Sequence, residues 1–270
     1  MAAGDGIAPT QNKEQHRDER RAAITPVRIL ITGATSAIAG EVAKIYAKQG
    51  ASFHLAARNA ERLSAVVQDL VTLGATGVTT SAVDLNKTEG HRALVERAVE
   101  HLGGIDIVLI AQGVLGDQAV AERRFEDAAD ILNTNFVSVV SLLTELTSRA
   151  LLERGAAIAV IGSVAGDRGR RSNYVYAASK AGLEAYVEGL RARLFEDGIT
   201  VTLIKPGFVD TPMTAHLEKK PLPATPAQVA QGIARAIRGH KDVVYVPWFW
   251  GPIMGVIRAL PHMIFKRMKF

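Results

Sequence analysis

Six short apolar runs, spaced by longer stretches of helical periodicity, constrain this chain more than any other feature. The first, Val27-Arg28-Ile29-Leu30-Ile31-Thr32, ends at Gly33. Others fall at 52–57, 78–83, 105–111, 157–162 and 200–204, with helical patterns such as 37–49 and 59–73 between them. Nearly continuous apolar runs, unlike alternating ones, predict strands covered by helices on both faces. The order strand, helix, strand then predicts an α/β fold with a doubly wound parallel sheet.

The flanks differ from this core. Residues 1–26 are polar, with mixed charges such as Lys13, Arg17, Asp18 and Arg21, and predict a disordered tail. Their lack of an apolar stretch predicts no secretory leader. The body reads as one Rossmann-type domain over 27–246, followed by a C-terminal helical extension over 247–270. No run of about 18 apolar residues predicts a membrane-spanning helix. The chain has no cysteine, which excludes disulfides, thiolate metal sites and thiol nucleophiles and fits a reducing cytoplasm. Its formal charge of +5 is modest, and no basic and aromatic array suggests a nucleic-acid partner. The seven histidines are scattered at spacings that suggest no metal site.

After the first strand the chain reads Thr32-Gly33-Ala34-Thr35-Ser36-Ala37-Ile38. A glycine leaving a buried strand permits a tight turn into a helix. Small residues there leave room for a pyrophosphate at the positive end of the helix dipole. A small-residue turn that binds nothing is the other reading. The second strand ends at Arg58, where a carboxylate would grip a free ribose 2′-hydroxyl. A guanidinium suits a 2′-phosphate instead, which favours NADP(H) over NAD(H). A solvated arginine opening a helix is the bland alternative.

Tyr176-Ala177-Ala178-Ser179-Lys180 opens a helical pattern, so Tyr176 and Lys180 share a face. A neighbouring ammonium would lower the phenol pKa and fit Tyr176 for proton transfer. Ser163 closes the fifth strand, thirteen positions earlier, and can meet Tyr176 over one substrate oxygen. Asn135 lies in a helical pattern before that strand, and Lys205-Pro206-Gly207-Phe208-Val209-Asp210-Thr211 leaves the sixth strand in a stiff turn.

Together these elements resemble the short-chain dehydrogenase/reductase family over about 27–246. The resemblance implies a ketone–alcohol oxidoreductase using a nicotinamide hydride, with Tyr176 as general acid/base and Ser163 holding the substrate oxygen. It implies that Lys180 binds the nicotinamide ribose and that Asn135 anchors a water in the proton relay. Asp84 and Leu85 would meet the adenine, and Pro206, Gly207, Val209 and Thr211 would hold the nicotinamide end. Gly33, Thr35, Ser36, Ala37 and Ile38 would cradle the phosphates. Ala37 and Ala39 replace two glycines of the usual Thr-Gly-x-x-x-Gly-x-Gly pattern, and Ala111-Gln112-Gly113 replaces the usual Asn-Ala-Gly. Those departures support the rival reading of a non-catalytic NADP-binding protein; the serine, tyrosine and lysine oppose it. A homo-dimer or homo-tetramer built on the long fourth and fifth helices is also implied.

Gly113-Val114-Leu115-Gly116-Asp117, 166–171, 213–217 and 246–270 carry a narrower resemblance, to decaprenylphosphoryl-2-keto-ribose reductases. It implies a polyprenyl-phosphate-linked 2-keto sugar as substrate; another soluble or fatty ketone is the alternative. Arg168, Arg170 and Arg171 would then meet a phosphodiester, or else form a solvated loop. Trp248-Phe249-Trp250 and the aliphatic and basic residues after it contain no acid beyond Asp242. Such a stretch suits an interfacial helix on the inner face of the cell membrane. A helix closing the substrate pocket, or an oligomer contact, would share that composition.

Overall fold

The computed structural model describes residues 26–215 and 223–268. Seven strands form one sheet: β1 Arg28–Thr32, β2 Ser52–Ala57, β3 Gly77–Ala82, β4 Ile107–Ile110, β5 Ala157–Ile161, β6 Thr200–Pro206 and β7 Val243–Val246. Their order is β3-β2-β1-β4-β5-β6-β7, and every pairing is parallel. The fold is a Rossmann-type, doubly wound sheet with helices on both faces. The expected tail over 1–26 lies outside the described residues except at Pro26, and so do His216 and Leu217.

Alternation along each strand sorts the core into two layers. Ile29, Ile31, Phe53, Leu55 and Leu109 pack on α1 (Ala37–Ala47), α2 (Ala60–Thr72) and α8 (Pro226–Arg238). Leu30, Ala56, Val108, Ile158 and Leu203 face the other way, toward α3 (His91–Leu102), α6 (Ser138–Ser148) and α7 (Tyr174–Leu194). Fully burying a side chain such as Leu109 stabilises by about 1.5–3 kcal/mol, so both layers are needed to hold the sheet. Two short helices, α4 (Gln118–Ala121) and α5 (Phe125–Leu132), precede a π-helical turn at Asn133–Val137. After β7 the chain forms α9 (Trp250–Ala259) and α10 (His262–Phe265).

Two strands differ from the sequence expectation. β3 is an edge strand, and its polar residues serve a purpose: Thr79 and Ser81 bond the two ring nitrogens of buried His54, at 2.8 and 2.9 Å. Burial lowers the His54 pKa to about 4, so the ring is neutral. β7 is a seventh strand not read from sequence. Its run Val243-Val244-Tyr245-Val246 is apolar but only four residues long and partly exposed, shorter than the runs that marked the others.

Candidate active site

The strand order reverses between β1 and β4, which opens a crevice at their carboxyl ends. Gly33 makes the first turn there with φ +67°. A Cβ on it would stand 2.4 Å from the Gln112 nitrogen and 2.6 Å from the Ala111 carbonyl carbon. Only glycine fits so close an approach. Helix α1 then starts at Ala37, with Ser36 at its N-cap in extended conformation. The Ser36 side chain makes no capping bond and stays available to a ligand.

Gly33, Thr35, Ser36, Ala37, Ile38, Arg58, Asp84, Leu85, Ala111, Gly113, Ser163, Tyr176, Lys180, Pro206, Gly207, Val209 and Thr211 all line one cavity of about 380 Å³. Asn135 is the exception among the residues singled out from sequence. It is fully buried behind the cavity wall, in the π-helical turn. Its carboxamide accepts from the Val114 N–H and donates to the Val114 carbonyl, both at 2.8 Å, and donates to Ser179 Oγ at 3.0 Å. The Oδ1 would lie 3.1 Å from a Cβ on Gly113, so Asn135 braces the turn beneath the pocket.

The cavity also contains residues that sequence reasoning missed. Arg62, one helical turn beyond Arg58, adds a second cation at the same end. Its spacing from Arg58 was the available signal. Gln112, at a position that departs from the family pattern, accepts from Thr32 Oγ1 at 2.5 Å through its Oε1. Its Nε2 is buried without a protein partner. Asn86 bonds Thr134 at 2.9 Å and Asp130 at 3.2 Å, which fixes the turn after Asp84.

Ser163, Tyr176 and Lys180 meet at the far end. Ser163 leaves β5 in extended conformation, and its Oγ accepts from the Ala165 N–H at 3.1 Å. Lys180 donates to the Ile161 carbonyl at 3.0 Å, and its ammonium lies 5.9 Å from the Tyr176 ring centre. Burial lowers the Lys180 pKa to about 8. Burial also raises the Tyr176 pKa, against a smaller opposite pull from the Ser163 hydroxyl. The sequence had suggested that Lys180 lowers it. In the structure desolvation of the phenol wins, because the ammonium is directed at a carbonyl.

The short chain dehydrogenase family pattern matches residues 28–222. The chain belongs to the short-chain dehydrogenase family. An uncharacterized oxidoreductase of Mycobacterium tuberculosis (strain ATCC 25618 / H37Rv) is 39% identical over 240 residues, 89% of this chain and 96% of the relative. Among solved structures, a variant actinorhodin polyketide ketoreductase with NADPH matches with TM-score 0.74 and 28% identity, covering 83% of this chain and 97% of its own. A short chain dehydrogenase from Burkholderia cenocepacia J2315 in complex with NADP matches with TM-score 0.74 and 27% identity, over 81% and 95%. This short-chain dehydrogenase is an NAD(P)-dependent oxidoreductase. The cradle around Gly33, the open Ser36 and the orphaned Gln112 Nε2 fit a nicotinamide dinucleotide.

Two of the three arginines expected to meet a phosphodiester do other work in this short-chain dehydrogenase. Arg168 donates to the carbonyls of Ile257 at 2.5 Å and Leu260 at 2.7 Å. These are carbonyls at the C-terminal end of α9, where the helix leaves acceptor capacity open and only a long 3.4 Å bond from the Leu260 N–H also reaches Ile257. Arg170 reaches Met254 Sδ at 3.7 Å. Of the three, Arg171 is exposed. Helix α9 is held at its other end by Trp250, which packs edge-on to Phe208 at 5.6 Å and fills the space where Gly207 lacks a side chain.

Beneath this loop lies a buried ionic cluster. Lys205 pairs with Asp167 and, at 2.5 Å, with Glu184, while the Tyr245 hydroxyl donates to Asp167 at 3.0 Å. Burial alone would lower the Lys205 pKa, but the two carboxylates outweigh it and raise it. The cluster ties the loop after Ser163 to β6, β7 and α7.

Proposed function

We propose that this enzyme reduces a ketone to a secondary alcohol, reversibly, with NADPH preferred over NADH. One observation carries the reading. Ser163, Tyr176 and Lys180 line the same cavity as the Gly33 turn and the Arg58–Arg62 pair. When bound, the cofactor supplies the hydride. The chain's own groups manage the oxygen. Ser163 and Tyr176 donate to the carbonyl oxygen as negative charge grows on it, and Tyr176 passes its proton to the forming alkoxide. The Lys180 ammonium, held by the Ile161 carbonyl, binds the nicotinamide ribose and so orients the cofactor beside Tyr176. Asn135 keeps the 113–114 turn in register. Paired cations at Arg58 and Arg62 match a 2′-phosphate, and the two solved relatives carry NADPH and NADP.

Ketoreductase chemistry in a solved relative supports a ketone substrate. Within that class, a polyprenyl-phosphate-linked 2-keto sugar is the first candidate. The apolar α9 segment adjoins the pocket through Trp250 and Gly207, and Arg171 is the exposed arginine of the loop. We further place the protein in the reducing cytoplasm, in keeping with its lack of cysteine. A dimer or tetramer built on α5–α6 and α7 is supported by exposed Phe125, Val137 and Tyr174 on those elements.

The test follows NADPH absorbance with purified protein and a panel of ketones that includes the lipid-linked 2-keto sugar. Tyr176→Phe is expected to lower kcat about 10²–10⁴-fold with NADPH binding retained. Equal turnover by the two proteins would overturn the mechanism. Turnover of soluble ketones alone would remove the lipid-linked substrate and leave the mechanism standing.

A further inference from the structure

Helix α9 breaks the usual rule for a surface helix. Trp250, Met254 and Ile257 form its inner stripe, and Met254 is completely buried. The outer stripe should be polar. Instead it exposes Pro252, Ile253, Gly255, Val256 and Ala259, with Arg258 the one charged residue of the helix. Trp248 before it and Met263 and Ile264 after it extend the apolar surface: Trp248 is 77% exposed, Val256 67%, Met263 67% and Ile264 52%. This surface is rigidly mounted, because Arg168 and Trp250 fasten both ends of the helix to the body.

Charge selects the occupant. From Val243 onward the sequence holds Arg258, Lys266, Arg267 and Lys269 and no acidic residue. Pairing of this patch with itself about a two-fold axis would bring two sets of cations together, with no carboxylate in the segment to offset them. An apolar strip with aromatic and basic neighbours is complementary to a bilayer surface that carries anionic headgroups. Among the described residues no helix is long and apolar enough to cross a membrane, so the contact is interfacial.

We propose that the outer face of residues 248–268 docks this protein on an anionic bilayer, with Trp248, Val256, Met263 and Ile264 in the headgroup region and Arg258, Lys266 and Arg267 against the headgroups. Trp250 joins this face to Gly207, which lines the cavity, so docking sets the substrate end of the pocket beside the lipid. Docking does not depend on the ketone reading. Flotation measures it, and NADPH oxidation measures catalysis.

The experiment uses the full chain and vesicles of phosphatidylcholine with and without phosphatidylglycerol. Wild type is expected to float with the phosphatidylglycerol vesicles. Val256→Asp with Ile264→Asp should lower the bound fraction about tenfold or more, since each places a charge where aliphatic surface was buried. Lys266→Glu with Arg267→Glu should cut binding to anionic vesicles by roughly twentyfold or more, at about fivefold per basic residue. All these side chains are exposed and none lines the cavity, so turnover of a soluble ketone stays at the wild-type rate. Failure of wild type to float, or equal flotation of wild type and both variants, overturns the proposal. So does a loss of oligomer mass in the aspartate variant without any vesicle binding, which would assign the face to a second copy of the chain.

Discussion

The guanidinium carbon of Arg168 lies 3.8 Å from the centre of the Phe265 ring, in the short helix at the far end of the sequence. The same guanidinium donates to the Ile257 and Leu260 carbonyls, so the loop that follows Ser163 is fastened to the C-terminal segment. A cation at the negative end of α9 is favourable in its own right. Arg168→Ala is expected to destabilise by about 2 kcal/mol, through two charge-assisted bonds and one cation–π contact. Arg168→Lys should not restore it, because a point charge cannot span both carbonyls and stack on a ring. Hydrogen exchange is the decisive measurement. Faster exchange confined to 250–265 supports the clamp, and unchanged exchange there would remove it.

Cofactor choice rests on Arg58 and Arg62. If both face a 2′-phosphate, Arg58→Ala should weaken NADPH binding about tenfold, and the double alanine variant about 100-fold. NADH affinity should stay nearly constant. Titrating both cofactors against intrinsic fluorescence gives the comparison. A parallel fall for NADPH and NADH would mean that the arginines serve the pyrophosphate or the fold instead.

The contrast between these two sites shows what could be read from sequence. The sheet was legible because its strands are buried on both faces, and so were Gly33, Ser163, Tyr176 and Lys180, whose spacing along the chain is itself the signal. β7 was not, because four partly exposed residues make too short an apolar run. Arg62 lies beyond the strand end that marks the cofactor site in sequence, and only the helix from Ala60 carries this second cation to the same face as Arg58. The role of Arg168 had no local signature. Its partners are backbone carbonyls about ninety residues away, and carbonyls leave no mark on composition. The phenol of Tyr176 failed for another reason: helical spacing gives the neighbour but not the burial that decides the direction of its pKa.

Gly33 in the first turn and Gly40 in the helix that follows should respond in opposite ways to the same change. Gly33→Ala forces a Cβ at positive φ into backbone atoms of 111–112 that cannot yield cheaply. A loss of about 2–4 kcal/mol is expected, together with loss of cofactor binding. Gly40 lies within α1 and would meet nothing within 4 Å. Gly40→Ala should therefore be neutral, or stabilising by up to about 1 kcal/mol. Urea unfolding of both variants without ligand tests the pair. Equal stability of Gly33→Ala and wild type would show that the close approach of β1 and β4 is not obligatory.

Lys180 makes the pH dependence specific. Its pKa is lowered by burial to about 8 from the ordinary value of 10.5. Below pH 8 both the folded and the unfolded chain hold this proton, and the cost of burying the charge is fully present. Between about pH 8 and 10.5 the unfolded chain binds more protons at this site than the folded one, so its contribution to stability rises with pH. The total rise is on the order of 3 kcal/mol. Tyr176 does not cancel it, since burial raises the phenol pKa and keeps it protonated through the lower part of that window. Lys180→Met removes the titration while keeping most of the side-chain volume. The stability of wild type relative to Lys180→Met should thus be flat up to about pH 8 and climb by pH 10, measured by urea unfolding at each pH. A flat difference across the whole range would show that Lys180 remains an ordinary ammonium in the pocket. In the active range the same loss of charge should weaken binding of a phosphorylated cofactor above about pH 8, and the Met variant should lack that inflection.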